Sequence, residues 1–417
     1  MPNKYAFVID GEGKTLSPTK FNNAFRLVRI GKAKLLSKYP LVIQLNKVVA
    51  EKEIDTTKIV LGIDDGAKKV GFALVQQCKN KNKVLFKATM HQREDVSKKM
   101  EKRQGYRRYR RSHKRYRPKR FDNRSASKRK GRLVPTIKQK KQAIIRVVKR
   151  LNKYIRIDKI ILEDVAIDIR KVIEGRDLYN WEYQNSNRLD ENLRKATLYR
   201  DDCTCQLCGA TDTMLHAHHI IPQRDGGADS IYNSITLCES CHNNKVDDNE
   251  YEYKDQFLAK IDGKELNLKA PMHVMQGKHW LREQLAKTAN LETIAGGDTA
   301  NRRIDYNINK SHSNDAICIT GLLPVDTISI KQYIIKPLRK KSKAKIKELK
   351  GFRQKDLVKY TKRDGTEIIG YITSLRIKNN KYNSKVCSFS NFEGKTYRGY
   401  GFRNLELLDR PQDLMFA

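Results

Sequence analysis

The stretch HAHHIIPQRDGG, residues 216–227, places His216, His218 and His219, three of the nine histidines in this 417-residue chain, within four positions. Neutral imidazole ligates metals and accepts protons near neutral pH, chemistry that a hydrophobic core has no reason to gather. On an extended strand adjacent side chains leave on opposite faces, so one of His218 and His219 can face a cation while the other faces a substrate. Flanking the run are Cys205-x2-Cys208 and Cys238-x2-Cys241. This is the spacing of paired zinc knuckles, and it supplies four thiolates for a structural Zn2+. Cys203, one residue removed from Cys205, is a rival for its place, although the two-residue gap favours Cys205 with Cys208; its other reading is a free surface thiol. His242 directly follows the second knuckle and can return to the cation that His218 faces. Gly226-Gly227 marks a turn, and Asn233 lies between the two histidine positions. The plain alternative is a zinc finger without catalysis, which needs neither the histidine pair nor Asn233. His216 is left as a bystander.

A second set is scattered. Asp64 sits in GIDDGAKKVG, Glu163 in IILEDVAI, and His312 with Asp315 in HSNDAICI. Patterning puts each at a strand end or a helix start. A carboxylate inside a continuous apolar run is expensive to bury unless it has a job. His312 and Asp315, three apart, share one face of an entering helix. Asp65 and Asp164 are the less favoured members of their acidic pairs.

The elements that must hold these residues are partly readable. KIVLGIDDGAKKVGFALVQ (58–76) predicts a strand, a tight turn and an antiparallel return, with KVLFKATMH (83–91) as a third strand. Ile144, Val147, Val148, Leu151 and Ile155 recur at helical spacing over 137–155. IDKIILEDVAI (157–167) reads as a buried strand. At the start, the strand YAFVID leads into LSPTKFNNAFRLVRIGKAKLL, read as a half-buried helix with a basic outer face. Residues 169–200 read as a polar, helical connector, and HWLREQLAK and NLETIAGGDTANRRIDYNINKSHSNDAICITGLL as helical. From 351 onward, apolar and polar residues alternate around Gly turns, which predicts a small β-barrel or curled sheet.

Lys and Arg total 86 against 47 Asp and Glu, giving net charge +39 and pI ≈ 9.9. A surplus of that size implies a polyanionic partner, nucleic acid before an anionic membrane. There is no run of 18 apolar residues and no apolar stretch at the start, so a soluble, intracellular protein is expected. Five of the eight cysteines crowd into one segment, as in a metal site and unlike a disulfide framework. From Lys98 to Arg132 there are 18 basic residues against Glu101 and Asp122, interleaved with Tyr106, Tyr109 and Tyr116. A disordered basic tail is the bland reading, but tails sit at termini and this block lies between patterned segments. It reads as a nucleic-acid-binding helix, with Arg103, Arg107, Arg108, Arg110, Arg111, Arg115 and Arg117 as candidate phosphate contacts.

HHIIP, Asn233 and CHNNK, framed by the CxxC pairs, resemble an HNH nuclease with its ββα-metal fold. The resemblance implies His219 as general base on water, Asn233 holding that imidazole by a hydrogen bond, and His218 and His242 as ligands of one Mg2+. The segments around Asp64, Glu163 and Asp315 resemble the RuvC branch of the RNase H-like fold. There the three acids would hold two Mg2+ ions, with His312 assisting water or phosphate.

The order of parts is similar to the IscB family, transposon-encoded OMEGA nucleases related to CRISPR type II effectors. It implies an α+β multidomain chain: an N-terminal domain (1–55), RuvC segment I (56–95), an arginine-rich bridge helix (96–134), RuvC segment II (135–170), a linker (171–200), an HNH insertion (201–275), RuvC segment III (276–335) and a small β-rich C-terminal domain that reads a target-adjacent motif (336–417). The family's Pro-Leu-Met-Pro motif stands here as Leu16-Ser17-Pro18. The implied function is RNA-guided cleavage of double-stranded DNA by a monomeric ribonucleoprotein in the prokaryotic cytoplasm. Its cofactors are Mg2+, structural Zn2+ and a structured guide RNA (ωRNA). HNH would cut the guide-paired strand and RuvC the displaced one. The rivals are an unguided junction- or site-specific nuclease, and a nucleic-acid-binding protein with inactive sites.

Overall fold

The computed structural model describes residues 5–79, 81–114, 133–164, 193–211, 213–228, 230–246, 249–264, 277–322, 330–338, 346–378 and 383–417. Its first unit is a four-stranded sheet with one helix: β1 (Tyr5–Ile9), β2 (Thr15–Lys20), α1 (Phe21–Arg29), β3 (Ala33–Lys38) and β4 (Leu41–Leu45), in the order β2-β1-β4-β3. The helix is shorter than the sequence pattern suggests. Pro18 has no N–H to donate, which suits the edge strand β2 and not a helix interior. At the other end Gly31, at φ +71°, closes α1 in the left-handed conformation.

The centre is a seven-stranded sheet, whose strands in spatial order are β11 (Asn290–Ile294), β8 (Lys159–Glu163), β5 (Ile59–Asp64), β6 (Lys69–Gln76), β7 (Lys83–His91), β12 (Gln332–Pro337) and β20 (Leu414–Phe416). β5 (Ile59–Asp64), β6 (Lys69–Gln76) and β7 (Lys83–His91) form the expected antiparallel meander. After the exposed helix α2 (Val96–Ser112) and the long helix α3 (Pro135–Asn152), β8 (Lys159–Glu163) pairs parallel to β5. Both sheet faces are covered, which is why these strands read as unbroken apolar runs. Ile144, Val147, Val148 and Leu151 of α3 pack with Leu61, Ile63, Phe72 and Leu74 on one face, and Ala316 and Ile317 pack with Ala73 and Val75 on the other.

Between β8 and the next sheet strand lies a separate small unit. It comprises α4 (Leu193–Arg200), the hairpin β9 (Leu215–His219) and β10 (Ser234–Cys238), and α5 (Lys254–Ile261). The polar, helical connector expected over 169–200 therefore ends in a helix that belongs to this unit. Thr197 Oγ1 meets Ser234 Oγ, and Arg194 donates to the Leu215 carbonyl.

The chain returns through α6 (Lys278–Ala286) and β11 (Asn290–Ile294), which pairs parallel to β8. NLETI is thus an edge strand and not helix; its mostly exposed side chains give it no apolar run to read. α7 (Gly296–Asp305) and α8 (His312–Ile319) follow, then β12 (Gln332–Pro337), parallel to β7.

The two-residue strands β13 (Glu348–Leu349) and β14 (Phe352–Arg353) precede a five-stranded antiparallel sheet. Its strands are β15 (Leu357–Thr361), β16 (Glu367–Ile377), β17 (Lys385–Asn391), β18 (Thr396–Tyr400) and β19 (Leu405–Asp409), in the order β18-β17-β16-β15-β19, as the alternation predicts. Finally β20 (Leu414–Phe416) re-enters the central sheet beside β12. No helix among the described residues is long and apolar enough to cross a membrane.

Candidate active site

β5 and β8 end side by side, so Asp64 and Glu163, their last residues, arrive at one edge of the sheet. α8 brings the third acid. Ser311 caps it by accepting from the Asn314 N–H, which sets His312 at its first position and Asp315 one turn on. Two glycines let this helix lie close on the sheet. A Cβ at Gly62 would overlap the Ala316 carbonyl, and one at Gly71 the His312 carbonyl. Asp64, Glu163, His312 and Asp315 thereby line one cavity of about 300 Å³. Their neighbours Asp65 and Asp164 go elsewhere, into ion pairs with Lys141 and with Lys278 and Arg282.

His312 Nδ1 lies 2.6 Å from Asp64 Oδ2, and that hydrogen bond raises the imidazole above its ordinary range. Burial, then the charge of Asp64, raises the Asp315 carboxyl, while Arg303 at 3.1 Å opposes them. Three carboxylates facing a common cavity offer the hard oxygen donors that Mg2+ takes. Arg194, Arg303 and Lys310, which the sequence reading passed over, line the same cavity. They suit a polyanion beside the acids. Nothing in their local sequence marks them, because the contacts exist only once α4, α7 and α8 have converged.

The cavity's other wall comes from the inserted unit, through Leu198, Cys203 and Met214. Cys203 lines this cavity and is not one of the four cysteines whose ligand atoms converge. The ligand atoms of Cys205, Cys208, Cys238 and Cys241 all lie within 4.8 Å of one another, the one such group of three or more among the described residues. Burial alone would push the Cys205 thiol up, but N–H groups of Cys208, Cys238 and Leu207 bring it down to about 7. Four thiolates at this spacing fit Zn2+.

His218 and His219 leave β9 on opposite faces. His218 is buried, its ring 5.3 Å from that of His242 and 6.2 Å from Phe257. His242 Nδ1 lies 2.9 Å from Asn243 Oδ1. The pair His218 and His242 thus fits a single divalent cation. Asn233 makes a different set of bonds from the one expected. Its Oδ1 accepts from the Ile221 N–H and its Nδ2 donates to the Ile221 and Ala228 carbonyls. It acts as a clamp on the loop leaving His219, and Gly227 leaves the room for it. Beneath the hairpin, a buried Arg200–Asp201 pair holds β10 through the Thr236 N–H and the Ser234 carbonyl.

Arg103, Arg107, Arg108, Arg110 and Arg111 lie along α2, which has no buried residue; Arg115 and Arg117 fall outside the described residues. Arg103, Arg107 and Arg110 follow helical spacing on one face, with Arg108 and Arg111 turned from it. Tyr106 and Tyr109 stand exposed among them, open to stacking.

Residues 6–186 match the RRXRR protein family, and residues 205–248 match the HNH endonuclease family. Together the two matches support an IscB/Cas9-like nuclease, and the HNH match supports a hydrolytic activity on nucleic acid. Anaredoxin of Nostoc sp. is 42% identical over 38 residues, which are 9% of this chain and 50% of that protein, so the match spans half the length of that relative. Two crystal structures of Streptococcus thermophilus Cas9, in complex with the GGAA PAM and with the AGAA PAM, overlap 58% and 61% of this chain and 32% of theirs. Their identities are 12% and 13% and their TM-scores 0.24 and 0.23, an overlap too slight to carry a structural argument.

Proposed function

We propose that this chain is an RNA-guided DNA endonuclease with two hydrolytic centres, one for each strand of a duplex. The observation that carries the reading is the gathering of Asp64, Glu163 and Asp315 from three distant segments around one cavity, in a chain whose inserted unit matches HNH endonucleases. A meander flanked by two parallel strands, with acids at the first strand, the fourth strand and a late helix, is the arrangement that RuvC-type nucleases use. In that centre the carboxylates would hold Mg2+, which would supply an activated water and charge stabilisation for phosphodiester hydrolysis. The chain's own residues orient the acids: His312 fixes Asp64, and Arg303 fixes Asp315 beside the phosphate path.

In the inserted unit, His219 would take the proton from water, the Asn233-clamped loop fixes the strand end that carries it, and His218 with His242 would hold a cation. The exposed arginines of α2, with Tyr106 and Tyr109, form a bridge helix that grips a structured guide RNA. The C-terminal sheet reads a short motif beside the target. Binding through phosphates on this scale is salt-sensitive.

The decisive experiment expresses the chain with its genomic flanks, purifies it in high salt and sequences the bound RNA. One defined structured RNA with a variable end is expected. A smear of cellular RNA, or none, would leave an unguided nuclease as the better reading. With the guide in hand, His219→Ala should stop cleavage of the paired strand only, and Asp64→Ala of the displaced strand only. Loss of both cuts from either change would end the one-strand-each assignment.

A further inference from the structure

We propose that Lys141 and Lys278 are positioning residues of the carboxylate centre, each gripping from behind the sheet the acid that follows a cavity acid in sequence. This rests on the reading of Asp64, Glu163 and Asp315 as that centre, given above. Asp64 meets His312 of α8 on the front of the sheet, whereas Asp65 reaches α3 on the opposite face. There it pairs with the Lys141 ammonium, and the two side chains are only 3% and 2% exposed. β8 repeats the plan beside it. Glu163 lines the cavity, and Asp164 pairs with Lys278 and Arg282 of α6, whose Leu281 and Leu285 share the core cluster of α3. Two adjacent parallel strands thus end in a pair of acids, and each end is pinned by a lysine from a different helix.

Stability does not account for the arrangement. Lys141 interrupts the apolar stripe of α3, with Ile137 on one side and Ile144, Ile145 and Val148 on the other, all buried and at helical spacing. An apolar residue would serve the core as well, since replacing a buried ion pair by well-packed apolar side chains is often neutral or stabilising. What the charges add is direction. A hydrogen-bonded ammonium fixes where the Asp65 carboxylate stands. The planar peptide before it passes that constraint to the Asp64 Cα, about 3.8 Å away. Lys140 extends the grip, its Nζ donating to the Ala67 carbonyl at 2.6 Å in the turn that leaves Asp64. On β8 the Asp164 N–H donates to the Ile294 carbonyl at 2.8 Å, so Lys278 holds a residue whose main chain is already paired to β11. An acid displaced by about 1 Å can cost roughly 10²-fold in rate without leaving its cavity.

The test uses the full chain with its bound RNA and a duplex target, and reads single-turnover cleavage of each strand beside target affinity. Lys141→Met with Asp65→Leu removes both charges and leaves neither partner buried alone. Amide protection in β5 and a melting temperature at the parent's level show that the sheet is intact. The displaced-strand rate should then fall about 10–10²-fold, with target affinity and the guide-paired rate unchanged. A second readout needs no cutting: the Mn2+ affinity that Asp64→Asn removes should weaken about 10–100-fold in the pair variant. Added to Asp64→Asn, the same two changes should cost no further rate, because the clamp acts through that acid, whereas an independent defect in the core would multiply with it. Lys278→Met with Asp164→Leu should behave alike against Glu163→Gln, and it carries the test if the first variant does not fold. An intact variant with the parent's displaced-strand rate and Mn2+ affinity overturns the proposal and leaves the centre standing, provided Asp64→Asn abolishes that cut. If Asp64→Asn leaves displaced-strand cleavage unchanged, the centre itself is misassigned and the positioning role falls with it.

Discussion

The cysteine cluster could hold a structural metal and the carboxylate cavity is proposed above to hold another, and they are built in opposite ways. The four cysteines come from one short segment and converge until all their ligand atoms lie within 4.8 Å. Asp64, Glu163 and Asp315 come from three remote segments and are held around an open cavity, two of them by side chains that are not acids, His312 and Arg303. A closed set of soft donors contributes folding free energy and does nothing else. An open set of hard donors leaves room for substrate and depends on the rest of the fold to exist. One site makes its surroundings; the other is made by them.

Removing a member from each should therefore fail differently. The largest effect is expected from Cys205→Ser. It should release Zn2+ and unfold the inserted unit, seen as loss of amide protection over 193–264, while protection in β5–β8 persists. If protection persists in the inserted unit as well, the cluster is not its scaffold. Asp64→Asn should do the reverse. Displaced-strand cleavage should fall by about 10³-fold or more, as expected when several kcal/mol of transition-state stabilisation are lost, with thermal stability within about 0.5 kcal/mol of the parent. A large loss of stability would show that the acid is structural.

Gly71→Ala sharpens the contrast from the side of the scaffold. It leaves every acid in place but forces α8 off β6, because its new Cβ meets the His312 backbone. We expect it to destabilise by about 1–3 kcal/mol and to depress displaced-strand cleavage, with Zn2+ content unchanged by elemental analysis.

The pair under the zinc unit responds to acid. Burial raises the Asp201 carboxyl, but the hydrogen bond and charge of Arg200, with Thr236, bring it below its ordinary value. A carboxyl with a depressed folded value stabilises above its unfolded value, about 3.9. That stabilisation is lost as pH falls through the folded value. The inserted unit should open on acidification below about pH 4, and Asp201→Asn should flatten that dependence while costing about 3–5 kcal/mol at neutral pH. An unchanged acid profile would remove the pair from the account.

The smallest effect belongs outside both sites. Arg107→Ala on α2 should leave stability within about 0.5 kcal/mol and lower the salt slope of RNA binding by about one unit.

What the sequence discloses follows the same division. The zinc set was readable because its ligands and their spacing are local. The meander, α3 and β8 were readable because burial on both faces leaves uninterrupted apolar runs. Edge strand NLETI was missed, since an edge buries too little to leave a pattern. Asp64 and Glu163 could be named as strand-end acids, but nothing near Arg303, Gly71 or Arg194 announces a role, because each acts on a residue far along the chain. Asn233 was visible as a polar residue in the right place, while its partners, backbone groups of the adjoining loop, leave no trace in residue types.

The C-terminal sheet leaves the central one through β12 and comes back through β20, and those two strands are hydrogen-bonded neighbours. A domain strung on one linker can swivel; one held by both ends of its chain in a common sheet is a bracket with two bolts. Force applied at its tip reaches the central sheet as shear along a strand pair, and Phe416 against Phe86 carries that load into the centre of the hydrophobic packing. The outer sheet is thereby tied back to the central one at a strand that neighbours the strand it left from.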